Sequence, residues 1–141
     1  MIDPPKVLLE LSFLQAVAQT DHPDHQAATT EYERLVDEYE REEVLLVAVS
    51  DHLHHFAGMS HPLRQIGLRR RGVFAPVDFL WVGFQHRRVA RRSKMASDPQ
   101  LALTLVMAQR HRIARLATFD ERFDEYQFEI LPATADVVQE S

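Results

Sequence analysis

The sequence contains no cysteine, which removes disulfide bonds, thiolate zinc sites and a cysteine nucleophile together. It has no apolar run near the ~20 residues that a membrane-spanning helix requires. Met1–Leu14 carries Asp3, Lys6 and Glu10 and lacks the charge order of a secretory signal, so the expected location is the cytoplasm. Neither an internal repeat nor a low-complexity segment interrupts the chain. What remains, 141 residues of which 45% are apolar and 26% charged, has the balance of one soluble globular domain. The expected boundaries are a single domain over residues 1–132 and a C-terminal tail over 133–141.

The net charge of −5 is unevenly spread. Between His61 and Lys94 stand nine basic residues (Arg64, Arg69, Arg70, Arg71, Arg87, Arg88, Arg91, Arg92 and Lys94) against one acid, Asp78. That window carries +8 and leaves −13 for the remainder. The sum argues against a globally basic nucleic-acid binder, but it allows a basic face beside an acidic body. A solvated, arginine-rich helix surface accounts for the same residues.

Hydrophobic periodicity orders the chain into strands and helices. Lys6–Leu11 (KVLLEL) is too short for a helix and predicts a buried strand with Glu10 near its end. Ser12 offers a cap for a brief helix through Leu14, Val17 and Ala18. A helix over Asp24–Arg41 places Ala28, Tyr32, Leu35, Val36 and Tyr39 on one face. Val44–Val49 (VLLVAV) reads as a central parallel strand covered on both sides. A helix from Ser50 to Phe56 ends before Gly58, and Gly67 and Gly72 bracket the first arginine cluster. Pro76–Arg92 reads as one helix with Val77, Leu80, Trp81, Phe84 and Val89 as its apolar residues; Trp81 and Phe84 precede the arginines and are expected in the core, base stacking being their other reading. Ser97-Asp98-Pro99-Gln100 combines a capping residue, a first-turn proline and a glutamine three after the serine. The helix it starts, reaching His111, is apolar nearly all round and predicts the central buried helix. Arg115–Thr118 and Gln127–Leu131 complete four expected strands. The order gives an α/β class: a three-layer α/β/α sandwich around a mostly parallel sheet.

Sheets of this kind place functional groups at the carboxyl ends of their strands. Three acids fall there: Glu10 after the first strand, Asp120 after the third, and Asp98 at the start of the buried helix. Hard divalent cations take oxygen ligands, usually one or two carboxylates plus water and substrate phosphate. Such an ion activates water and neutralises charge developing on a phosphodiester.

The segments KVLLELSFL, DHPDHQAA and above all RIARLATFDERF resemble the PIN-domain family, many of whose members are metal-dependent ribonucleases, including the toxins of VapBC toxin–antitoxin modules. The match to I-x-x-[LI]-A-T-[FL]-D-x-[RH]-F covers about fifteen residues, and the element order matches over most of the chain. The resemblance implies a Mg²⁺- or Mn²⁺-dependent endoribonuclease with Glu10, Asp98 and Asp120 as catalytic metal ligands and Asp51 as a fourth acid. Ser12 and Arg69, Arg70, Arg71, Arg87, Arg88 and Arg91 would contact RNA. An antitoxin protein and a homodimer are the partners it implies. The sequence also departs from the family pattern. Glu10 stands where members usually carry aspartate. The expected glutamate after the second strand falls near His55 or Phe56, and the expected buried-helix aspartate falls on Leu101. Arg112 replaces a glycine. A catalytically inactive PIN-like scaffold that binds RNA or a protein is the alternative.

Each candidate has a simpler role as well. Asp98 before Pro99 is a helix N-cap, Asp120 an Asx-type turn, and Glu10 one half of a buried arginine pair. His52 and His55, or Asp51 and His55, share a helix face at spacings that suit a transition metal. No H-E-x-x-H pattern accompanies them, and a titrating histidine surface is the other reading.

Overall fold

Among the described residues, short β-branched and leucine-rich runs form five strands: β1 Lys6–Leu9, β2 Leu45–Val49, β3 Val77–Leu80, β4 Arg115–Ala117 and β5 Glu129–Leu131. The computed structural model describes residues 3–51, 77–93 and 97–133. The expected helix beyond Asp51, the histidines His52, His54, His55 and His61, Arg64, Arg69–Arg71 and the tail beyond Ala133 lie outside the described residues. All strand pairings are parallel, in the order β3-β2-β1-β4-β5.

Parallel neighbours need crossover connections, and helices supply them. Helices α1 (Leu11–Ala18) and α2 (His25–Glu40) join β1 to β2; α3 (Phe84–Arg92) and α4 (Pro99–Arg110) join β3 to β4. The two-residue alternation of β1 divides the core. Val7 and Leu9 pack with Phe13 and Val17 of α1 and with Tyr32, Leu35 and Val36 of α2. Leu8 points the other way, toward Ala90 of α3 and Leu103, Val106 and Met107 of α4. The result is an α/β/α sandwich. Among the described residues, no helix is long and apolar enough to cross a membrane.

Helices α2 and α4 end in the same way, and neither uses glycine. After the C-cap Arg41, Glu42 takes a left-handed φ of 62°; its N–H donates to Tyr39 O and the N–H of Glu43 to Glu38 O, both at 2.9 Å. After the C-cap His111, Arg112 takes φ 55°, with its N–H on Gln109 O and the N–H of Ile113 on Ala108 O. These are Schellman closures, which satisfy the last carbonyls of a helix and normally place glycine at the left-handed position. Ile113 and Ala108 are buried in one cluster, the apolar contact that accompanies the motif. The closure at Arg112 turns the chain from α4 into β4, although the family glycine is missing.

The structure corrects several expectations. Pro76–Arg92 is not a single helix, because Val77–Leu80 (VDFL) pairs with Leu46–Val49 of β2 and adds a fifth strand. The helix begins only after Gly83, whose N–H donates to Nδ1 of His86 at 2.8 Å. Trp81 and Phe84, expected in the core, are exposed (72% and 69%), as is Val89 (42%), because the strand breaks the continuous helix that would have turned the two aromatics inward. Glu10 caps α1 instead of ending a strand, Thr118 lies beyond β4, and β5 starts at Glu129. At α4 the N-cap is Asp98, as its place before Pro99 suggested, accepting from the N–H of Leu101 at 3.2 Å. The proline then occupies the first helical position, where its missing N–H costs nothing.

Candidate active site

Strands β1 and β4 are neighbours, although the chain builds β2 and β3 on the other side of β1 between them. Connections therefore leave their carboxyl ends in opposite directions, which opens a crevice at this point of a parallel sheet. Glu10 and Ser12 follow β1 into it, and Thr118 and Asp120 follow β4.

Glu10 is 7% exposed, and no arginine pairs with it among the described residues. Its Oε1 instead accepts three hydrogen bonds: from the Ser12 N–H at 3.0 Å, the Ser12 hydroxyl at 2.5 Å and the Thr118 hydroxyl at 2.5 Å. The two hydroxyl oxygens lie 3.1 Å apart, but with both protons directed at Glu10 neither has one to give the other. As acceptors they take the N–H groups of Phe119 (2.9 Å) and Asp120 (3.0 Å). One carboxylate and two hydroxyls thus stitch the start of α1 to the exit of β4. Burial pushes the Glu10 carboxyl above its usual range; the Ser12 and Thr118 bonds oppose that rise, and the charge of Asp120 adds to it. No described residue donates to Oε2.

Asp98 and Asp120 meet through a residue that the candidate set omitted, Arg122. Its Nη2 donates to Asp120 Oδ2 at 2.7 Å and its Nε to Oδ1 at 3.0 Å, while Nη1 donates to Asp98 Oδ2. The Arg122 guanidinium holds both carboxyls below the ordinary aspartate range, and the pairing raises Arg122 in turn. Asp120 also accepts from the Arg122 N–H at 3.0 Å and so caps a 3-10 turn, Glu121–Glu125. The capping roles of Asp98 and Asp120 are therefore both present, and neither prevents the carboxylates from facing one cation. Leu101, which stands at the family aspartate position, is buried in the core; Asp98 brings its carboxylate over that first turn from one turn earlier.

Asp51, at the end of β2, is held by Arg87 of α3, with Nη2 donating to Oδ1 at 2.9 Å and Nη1 to Oδ2. The proposed fourth acid and one of the proposed phosphate contacts are thus paired with each other. Arg88 and Arg91 lie exposed on the same helix, and Arg69–Arg71 lie outside the described residues. The residues that the candidate set missed, Thr118 and Arg122, both sit inside the T-x-D-x-[RH] stretch, so the motif spelled them out and only their chemistry went unread.

The donor set suits a hard divalent ion in kind, being entirely oxygen. Among the described residues, no three of His, Asp and Glu stand close enough as placed to share a metal. Two do converge: Asp98 and Asp120 already bind one cation, the guanidinium of Arg122. Two carboxylates are what Mg²⁺ commonly takes from protein, water and substrate phosphate supplying the rest.

No family model matches the sequence, and no curated protein matches it. Among solved structures, the crystal structure of Mycobacterium tuberculosis VapC20, a sarcin-ricin loop cleaving toxin, matches with a TM-score of 0.57 at 14% identity. The match covers 86% of this chain and 95% of VapC20. At that identity the likeness speaks for the backbone alone, and with the all-parallel 3-2-1-4-5 sheet between two helical layers it establishes that this chain has the PIN-domain fold.

Proposed function

We propose that the chain is a divalent-metal-dependent endoribonuclease of the toxin type, acting on RNA phosphodiesters. The observation that supports this reading is the meeting of Asp98 and Asp120 around one cation beside Glu10, at the switch point of a PIN fold. Asp98 and Asp120 would hold Mg²⁺ or Mn²⁺ in exchange for Arg122, with Glu10 Oε2 as the next donor. The bound ion would supply charge neutralisation on the phosphate and an acidified water. Ser12 and Thr118 hold Glu10 through Oε1, which leaves Oε2 without a donor among the described residues. Arg88, Arg91 and Arg69–Arg71 would bear on the RNA backbone, and Asp51 would join only by leaving Arg87. An antitoxin protein and a second copy of the chain are the partners that accompany this reading, and the cytoplasm its location.

Calorimetric titration of Mn²⁺ into metal-free protein, beside Asp120→Asn, tests it without a guess about substrate. One saturable site that disappears in the variant, together with Mn²⁺-dependent RNA cleavage that also disappears, is the expected result. The second reading, an inactive PIN scaffold binding RNA or protein, is favoured by Arg122 on both acids and by Leu101 in the core. No Mn²⁺ site with RNA present, and no cleavage, would replace the first reading with the second.

A further inference from the structure

We propose that Trp81, Phe84 and the arginines Arg88, Arg91 and Arg92 of α3 form a seat for single-stranded RNA, with bases stacked on the rings and phosphates held by the guanidinium groups. The inference takes its class of nucleic acid from the function proposed above; the surface itself is argued from its own residues.

Among the described residues, every exposed large hydrophobic side chain (Trp81, Phe84 and Val89) falls within nine consecutive positions. Exposed aromatics gathered in one place mark a contact surface. Phe84, Arg88 and Arg91 follow one another at four- and three-residue spacing, so they share a stripe of α3, and Ala90, the buried residue of that helix, lies on the opposite side. The Arg88 guanidinium carbon lies 5.9 Å from the centroid of the Phe84 ring. No carboxylate pairs with Arg88, Arg91 or Arg92 among the described residues, whereas Arg87 is occupied by Asp51. A shallow depression of 190 Å³ between Gln85, Arg88, Val89 and Arg92 runs along the same helix.

The loop that carries Trp81 is tied down: the N–H of Val82 donates to the Ser50 hydroxyl at 3.1 Å, and that of Gly83 to His86. Trp81 directly follows β3, so it emerges at the same end of the sheet as Glu10 after β1. Only β2 separates those strands, about 10 Å at two strand spacings. A strand of RNA running along the sheet end would therefore pass from the aromatic seat to the acidic crevice.

The charge pattern selects the occupant. A second copy on this face in a two-fold dimer would set arginine against arginine, because such an interface meets itself. A polyanion neutralises the stripe, and unpaired bases, unlike those of a duplex, offer their faces to the rings.

Trp81 is the sole tryptophan of the chain, so its emission reports on the seat directly. The experiment titrates an oligoadenylate of about a dozen nucleotides into the intact protein in EDTA, where no cleavage can intervene. Saturable quenching of Trp81 is expected. Phe84→Ala should weaken binding about tenfold, and Arg91→Ala should flatten the log–log salt slope by about 0.7. Inorganic polyphosphate should compete without quenching. Binding with no quenching and full affinity in Phe84→Ala would overturn the seat. So would equal quenching by polyglutamate, which would assign the surface to an acidic protein, or a protein-concentration-dependent shift of Trp81 emission that tracks dimerisation in sedimentation. Quenching without any later Mn²⁺-dependent cleavage would retire the nuclease and keep the seat; cleavage without quenching would do the reverse.

Discussion

Replacing Thr118 by valine keeps the shape of the side chain and deletes one hydroxyl, which serves two partners. It donates to Glu10 Oε1 at 2.5 Å and accepts from the Asp120 N–H at 3.0 Å. A hydrogen bond to an ionised group contributes about 1.5–3 kcal/mol, and stranding a half-buried N–H costs about 1 kcal/mol more. Thr118→Val should therefore lose about 3 kcal/mol at pH 8, read as a shift of the urea midpoint with an unchanged m-value. In a Glu10→Gln background the acceptor is neutral, the same hydroxyl contributes about 1 kcal/mol, and the loss should shrink to about 2 kcal/mol. The cycle thus predicts a coupling of about 1 kcal/mol between positions 10 and 118. Acidity gives an independent check. Glu10 is held above 4.5 by burial, so its folded state keeps a proton that the unfolded chain releases first. Its contribution is fully present below pH 4.5 and is lost as pH rises through the folded value. Thr118→Val removes a bond that lowers this value and should move the loss to higher pH, and Glu10→Gln should abolish it. Additive losses within about 0.3 kcal/mol would refute the claim that the hydroxyls hold an ionised carboxylate.

Three further outcomes follow from the same geometry. Arg122→Ala should let Asp98 and Asp120 return toward 3.8; the stability they contribute is present above that value and lost as pH falls through their lowered folded values, so the variant should show a smaller acid-side loss between pH 5 and pH 2. With its internal competitor gone, it should also bind Mn²⁺ more tightly than the parent in calorimetry, and unchanged affinity would argue against Arg122 holding the ion's place. Tyr32 is fully buried, its hydroxyl has no hydrogen-bond partner among the described residues, and burial pushes its pKa above the usual phenol range, so Tyr32→Phe should stabilise by about 1 kcal/mol in urea unfolding. Glu42→Gly and Arg112→Gly should each stabilise by about 0.5–1 kcal/mol in thermal melts, because the left-handed φ costs more than glycine's extra unfolded-state freedom; alanine at either site should give no such gain.

Local pattern carried far in this chain because parallel α/β folds write their rules locally. The short apolar run Lys6–Leu11 marks a buried strand and the β-branched run Val44–Val49 one covered on both faces, and the structure places the two side by side at the centre of the sheet. The Asp98-Pro99 start of α4 is legible because an N-cap acts within one turn. The same locality misled at Pro76–Arg92. There the apolar spacing suits a helix, and only pairing with Leu46–Val49 turns Val77–Leu80 into an edge strand. Nothing within that segment reports the neighbouring strand, so the exposure of Trp81 and Phe84 was invisible as well.

The sequence by itself determined which residues reach the ends of strands, and so which acids stand at the crevice: Glu10 and Asp120 are fixed by their place after β1 and β4. Which groups those acids meet was decided only by tertiary structure. Glu10, for which an arginine partner was the simpler reading, found Thr118 across 108 positions, and Asp51 found Arg87 across 36. Asp98 and Asp120 came together on Arg122 although Asp98 lies 24 positions before it. Charge and capping are properties of a residue and its near neighbours. A hydrogen-bond partner depends on the order in which strands pair, and that order is set by the whole core.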